Sequence, residues 1–173
     1  MLGDDWRWCP RCGEPLERVH RGGAPRPRCP SCGFLFFANM GIGAAVVVRE
    51  ATGRVLLVRR GPRQYGAGRW CFPCGFVEWG EDVREAAVRE AREEAGVDVR
   101  LGAVVQVLNN FHEPERPTIG VWFAAELVDP TAVPVGGDDA AEAGWFDPLD
   151  PPPLAFPSDV TLLRAIAGRP EAG

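Results

Sequence analysis

The chain has 173 residues, 46% of them hydrophobic and 25% charged, which suits one compact domain with room for a small appendage. All 19 basic residues are arginine, so a Schiff-base lysine and a P-loop lysine are excluded, and two histidines (His20 and His112) exclude a three-histidine metal site. The net charge of −5 makes the surface as a whole a poor match for nucleic acid, and leaves local arginines or a metal ion to meet an anionic substrate.

The N-terminus, Met1 to Trp6, is acidic and lacks the basic-then-apolar layout of a signal peptide. No stretch reaches the ~18 to 20 apolar residues of a membrane span, so no membrane partner is expected. Cys9-Pro-Arg-Cys12-Gly13 and Cys29-Pro-Ser-Cys32-Gly33 are two copies of one knuckle, separated by 16 residues. Two thiolates three positions apart on a tight turn aim at one point, and two such knuckles make a tetrahedral site suited to Zn²⁺. Residues 1–37 are therefore expected to be a zinc ribbon that the metal stabilises, because so short a module cannot bury a core. Reduced, metal-bound cysteines and the missing export signal predict a cytoplasmic protein. Arg18, His20, Arg21, Arg26 and Arg28 lie between the knuckles. They read either as a phosphate-binding face or, as favoured here, as a solvated edge that offsets the charge of the metal–thiolate centre. The run Phe34 to Phe37 is expected to dock the ribbon on the next domain or to form a homodimer contact.

Residues 38–173 form the second expected domain. Gly41 to Arg49 reads as a buried strand, Ala51-Thr-Gly53 as a turn and Val55 to Val58 as a second strand. Residues 61–69 form a loop and Trp70 to Phe72 a short strand. Cys71 and Cys74 form a third C-x-x-C without a partner pair, read as buried small residues. Two longer apolar segments, Val97 to Leu108 and Thr118 to Val128, flank a polar loop, and Trp145-Phe146 ends a further strand. Ser158 is the expected N-cap of a final helix. Strands in mixed order with two helices predict an α+β or α/β/α sandwich with a mixed sheet.

The segment Asp82 to Ala95 is bounded as a helix by Asp82, a capping residue, and by Gly96-Val97. At about 100° per residue, Val83, Ala86 and Ala87 share one face with Glu90 and Glu94, with Glu93 on its flank. Alanine and valine thus give way to carboxylates on the inward face. Unpaired, these would repel one another and resist desolvation. A divalent cation removes that cost, and oxygen-only ligands suit Mg²⁺ or Mn²⁺. The alternative is a charged surface helix with pairs such as Arg89–Glu93.

Gly75, five residues, Glu81, seven residues, Arg89-Glu90-Ala91-x-Glu93-Glu94-x-Gly96-Val97 is similar to the Nudix box. With the ribbon ahead of it, the chain resembles the zinc-ribbon Nudix hydrolases, a group that includes NADH, ADP-ribose and FAD pyrophosphatases. The resemblance implies a Nudix fold and Mg²⁺-dependent hydrolysis of a nucleoside diphosphate linked to another moiety. By position it makes Glu90 and Glu94 metal ligands and Glu93 an accessory one, with Glu81 and Arg89 orienting the helix. The carbonyl just before the box also faces the metal in this family. Here that residue is Cys74, where the family commonly has Gly.

A carboxylate must take the proton of the attacking water. Glu90 could serve, and relatives place a further acid before the last core strand, which points to Asp139 or Glu142. Glu113 and Glu115 are weaker competitors. Arg59 and Arg60 are candidates to clamp phosphate, and Phe111, Trp79 or Phe156 to stack on a base. NADH pyrophosphatases of this group carry a Ser-Gln-Pro-Trp-Pro-Phe-Pro-like stretch after the box, and Asn109 to Pro117 lacks it. The expected substrate is thus ADP-ribose, FAD or a related small-molecule nucleotide. NADH hydrolysis, RNA 5′-cap removal and a non-catalytic nucleotide- or nucleic-acid-binding module are the alternatives.

Overall fold

The computed structural model describes residues 6–110, 112 and 117–168. The chain divides into two compact units between Met40 and Gly41. In the first, β1 (Glu17–Arg21) and β2 (Ala24–Arg28) pair antiparallel. Gly22 and Gly23 join them with φ of 61° and 78°, a two-residue turn that wants positive φ at both positions. The two knuckles repeat one backbone pattern: Gly13 N donates to Cys9 O at 2.9 Å, and Gly33 N to Cys29 O at 3.0 Å. Phe36 stacks on Trp6 with centroids 4.3 Å apart, and Arg26 lies 4.4 Å over the Phe37 ring. Among the described residues, the buried ones here are Cys9, Pro27 and Cys29. That is too little core to hold the unit together by apolar burial.

The second unit contains β3 (Gly41–Val48), β4 (Val55–Arg60), β5 (Trp70–Cys71), β6 (Cys74–Phe76), α1 (Val83–Ala95), β7 (Val99–Asn110), β8 (Thr118–Leu127), β9 (Ala140–Phe146) and α2 (Pro157–Ile166). One sheet has the order β6-β3-β8-β7 and is mixed, because β3 and β8 run parallel while the other pairs are antiparallel. The other, β5-β4-β9, is antiparallel. The period of two along β3 and β4 divides the core. Ala44, Val46, Val48, Leu56 and Val58 pack in a cluster with Ala86, Ala87, Ala91 and Ala95 of α1. Ala45, Val47, Val55 and Leu57 pack in a second cluster with Phe72, Trp122, Leu162 and Leu163. Both faces are thus covered, which is the expected α/β/α arrangement. The alanines of α1 let the helix approach its sheet closely.

Asp82 caps α1 by accepting from Arg84 N at 2.7 Å. Gly96, at φ 67°, closes it with its N–H on Arg92 O. Helix α2 differs from the sequence reading. Its N-cap is Phe156, with no side-chain cap, and Ser158 is buried inside the first turn. Pro157 sets the helical φ and needs no acceptor, so the helix starts two residues earlier than the serine suggested. Asp159, also buried, accepts from Phe72 N at 3.3 Å, and its burial pushes the carboxyl up to about 7. Among the described residues, no helix is long and apolar enough to cross a membrane.

Candidate active site

Glu90 and Glu94 lie on the buried face of α1, at 8% and 3% exposure, in line with Ala86, Ala87 and Ala91. Arg89, one residue round the helix, uses all five of its N–H donors. Nε and Nη2 grip the two oxygens of Glu81 at 2.8 and 3.1 Å, and Nη2 also reaches Phe76 O at 3.0 Å. Nη1 donates to Glu90 at 2.7 Å and to Glu93 at 2.8 Å. Glu81 is anchored a second time by Glu78 N at 2.9 Å, and the Arg89 guanidinium draws its carboxyl down to about 2. One guanidinium thus joins β6, the loop before α1 and two acids of the helix.

The floor of the site is β6. A Cβ built on Gly75 would sit 2.0 Å from Glu90 Oε1, so this position admits no side chain while Glu90 keeps its place. Cys74 N donates to Glu94 Oε2 at 2.8 Å. Cys74 sits in the strand, paired with Ala45, and Asp138 is the one non-glycine with positive φ among the described residues. Glycine's freedom is therefore not needed at Cys74. Burial, with the charges of Cys71, Glu90 and Asp139, pushes the Glu94 carboxyl up to about 10. Burial likewise raises Glu90. The Cys74 thiol, hydrogen-bonded to Cys71 and buried, is pushed well above the usual thiol range, so it is neutral.

The third wall is the segment before β9. Val135 N donates to Ala95 O at 3.0 Å and Gly137 N to Glu94 O at 3.2 Å, which satisfies carbonyls at the end of α1. A Cβ on Gly137 would fall 2.6 Å from Glu93 O, so glycine permits this approach. Asp139 then sits near enough to raise both Glu90 and Glu94. Its carboxylate is held by Gln64 Nε2, and its carbonyl accepts from Gly61 N at 2.9 Å. Glu142 is placed differently: it faces Arg59 across the β4–β9 pair and forms an exposed ion pair with it.

Arg59 and Arg60 diverge at the end of β4. Arg60 donates from Nε to Tyr65 O at 2.6 Å, approaches Cys71 Sγ at 3.8 Å and stacks 4.8 Å over Phe156. Trp79 is fully exposed. Phe111, Glu113 and Glu115 lie outside the described residues. Gln64, Tyr65 and the close approach of Gly75 to Glu90 were not identified from sequence, since none follows from periodicity or local spacing.

In the first unit, Cys9, Cys12, Cys29 and Cys32 bring their sulfurs within 4.8 Å of one another. Cys9–Cys32 and Cys12–Cys29 are each 3.5 Å apart, too far for disulfides and close enough for one ion to reach all four.

The NUDIX domain model matches residues 40–166. A NAD-capped RNA hydrolase of Deinococcus radiodurans is 35% identical over 164 residues, 92% of this chain and 55% of that protein. One of Stutzerimonas stutzeri is 31% identical over 173 residues, covering 95% and 59%. The chain therefore spans somewhat more than half the length of these relatives. An ADP-ribose pyrophosphatase of Methanocaldococcus jannaschii is 34% identical over 108 residues, 62% of each protein. A NUDIX hydrolase structure from Nitrosomonas europaea superposes with a TM-score of 0.80 at 26% identity over 97% of both chains. With its intact 23-residue box on the β6–α1 unit, the chain belongs to the Nudix family.

Proposed function

We propose that the protein is a cation-dependent hydrolase that splits the diphosphate of a nucleoside diphosphate linked to another moiety, such as ADP-ribose or FAD. The observation that carries this reading is the pair of buried carboxylates, Glu90 and Glu94, held beside Asp139 with too few protein donors to offset their charge. Such a donor set is all oxygen and fits Mg²⁺ or Mn²⁺, with Glu93 as accessory ligand and the Cys74 carbonyl beside them. The cation, when bound, neutralises phosphate charge and lowers the pKa of water.

The chain's own residues do the rest. Arg89 and Glu81 fix the rotamers of Glu90 and Glu93. Asp139, inside the field of both buried acids, accepts the proton of the attacking water in preference to Glu142, which is tied to Arg59. Arg60 faces the phosphates. The four thiols of the first unit hold Zn²⁺ and stabilise the ribbon. Cytoplasmic residence accords with that reduced cluster.

A second reading, removal of a dinucleotide cap from RNA, is favoured by the NAD-capped RNA hydrolases among the relatives. Purified protein with Mg²⁺ is expected to release AMP from ADP-ribose or FAD, and chelator to stop it. Activity on capped RNA with none on the free dinucleotides points to the second reading. No AMP from the free dinucleotides and no mononucleotide released from the capped RNA refutes both.

A further inference from the structure

Residues 70–74 carry the chain from one sheet to the other, since β5 belongs to the three-stranded sheet and β6 to the four-stranded one. Their first residue is held by the chain ahead of α2. Trp70 N donates to Pro153 O at 2.9 Å and Ala155 N to Trp70 O at 2.8 Å, which is the alternation of a parallel ladder. The next rung of such a ladder would bring Phe72 N to the Ala155 carbonyl. The ladder stops, because the chain turns into α2 at Pro157. The side chain of Asp159, in the first turn of that helix, supplies the acceptor instead and takes Phe72 N at 3.3 Å.

This bond bears on the candidate site through a short stretch of backbone. Only Phe72 and Pro73 lie between β5 and β6, and Pro73 has no N–H, so Phe72 N is the one backbone donor of the link. Phe72 is fully buried, and an amide there needs a partner. Beyond it, Pro73 O accepts from Val46 N at 3.1 Å, Cys74 pairs with Ala45, and Cys74 N donates to Glu94 Oε2 at 2.8 Å. Asp159 is near enough for its charge to push the Cys74 thiol up. It is also a costly acceptor. Its residue is 1% exposed, and burial pushes its carboxyl up, while the Phe72 amide, the Trp122 indole and the charge of Arg60 draw it down. A neutral acceptor would satisfy the amide, so the carboxylate is not there to stabilise α2 alone.

We infer that Asp159 is a positioning residue for the cation site: by holding Phe72 N it fixes the backbone of Cys74 against Glu94. The inference rests on the proposed reading, in which Glu94 and the Cys74 carbonyl hold the cation. It gives α2, which packs with Phe72 in the cluster on the face away from α1, a part in the site that α1 carries.

The test is Mn²⁺ binding by the whole zinc-loaded chain, followed by electron paramagnetic resonance of the free ion. The site is identified as the Mn²⁺ lost in Glu94→Gln. Asp159→Leu and Asp159→Ala remove the acceptor, Asp159→Asn keeps an acceptor oxygen, and Leu162→Ala removes packing from the same helix. We expect Asp159→Leu and Asp159→Ala to weaken Mn²⁺ binding about 10- to 100-fold, the range for loss of a ligand's support. Asp159→Asn is expected to stay within about threefold of wild type, as is Leu162→Ala despite a lower Tm. Without cation, exchange of the Cys74 amide should quicken about tenfold or more in the first two variants and little in Asp159→Asn. Unchanged Mn²⁺ binding in Asp159→Leu and Asp159→Ala, an equal loss in Leu162→Ala or in Asp159→Asn, or failure of both acceptor-free variants to fold overturns the inference alone. A wild type that binds no Mn²⁺ overturns the cation reading and the inference with it.

Discussion

In the ribbon, the buried residues among those described are two cysteines and a proline, and the structure is drawn together around four sulfurs. In the sandwich, two apolar clusters cover both faces of the sheets, and into one of them the helix inserts two carboxylates. On the proposed reading, a cation does opposite work in the two places. In the ribbon it replaces a missing core, so the fold depends on it. In the sandwich the core is sufficient and holds charges together at a cost in stability, so that the site is ready before a cation arrives. The proposed reading therefore has one chain using metal for structure and structure for metal.

The largest effect expected concerns the ribbon. Cys29→Ser should abolish stoichiometric zinc and expose residues 6–40 to protease, while the sandwich keeps its own melting transition. A protected ribbon after metal loss would break the comparison. Next is Glu94→Gln, for which we expect a loss of about 1,000-fold or more in kcat/KM, roughly 4 kcal/mol, with Tm unchanged or raised, since the cost of keeping a buried carboxyl protonated has been removed. A comparable fall in Tm would show that the carboxylate supports the fold. Gly75→Ala follows, at a loss on the order of 100-fold, the upper end of what disturbing a ligand's support costs. Its added Cβ must displace Glu90, whose oxygen lies 2.0 Å away from the position it would take. Asp139→Asn is expected to lower kcat about tenfold or more, as loss of a proton acceptor does, and Glu142→Gln much less. The reverse order would move the acceptor to the Arg59 pair.

The remaining prediction concerns the pH dependence of stability without added cation. Glu94 has a folded pKa of about 10 against 4.5 as reference. The folded state therefore holds the extra proton, and stability present below about pH 4.5 is lost progressively as pH rises toward 10. Glu81, drawn down to about 2, contributes stability that is complete above its 4.5 reference value and so adds no slope from pH 5 to 9. Thermal melts over that range should fall with pH in the wild type and fall less in Glu94→Gln. Equal slopes would count against the burial argument.

Much of this was legible in the chain. The knuckle spacing, the strand runs of β3 and β4, both ends of α1 and the inward carboxylates follow from short-range periodicity, which sequence records directly. Ser158 misled because capping preference is weaker than the fixed φ of Pro157 one residue earlier. Strand β6 and the Gly75–Glu90 approach went unseen because they arise where a strand meets a helix 15 residues later. The choice between Asp139 and Glu142 could not be read from spacing either. It turns on cross-strand register, which sets Glu142 opposite Arg59 and leaves Asp139 to Gln64.

The bonds from Val135 and Gly137 to the last carbonyls of α1 have a consequence in time as well as in space. Those two amides exchange with solvent only when their bonds to the helix end break. Their exchange therefore reads how often the segment that carries Asp139 parts from the turn that carries Glu94. A fluctuation that frays the last turn of α1 breaks both bonds and so moves Glu94 and frees the segment that carries Asp139 together.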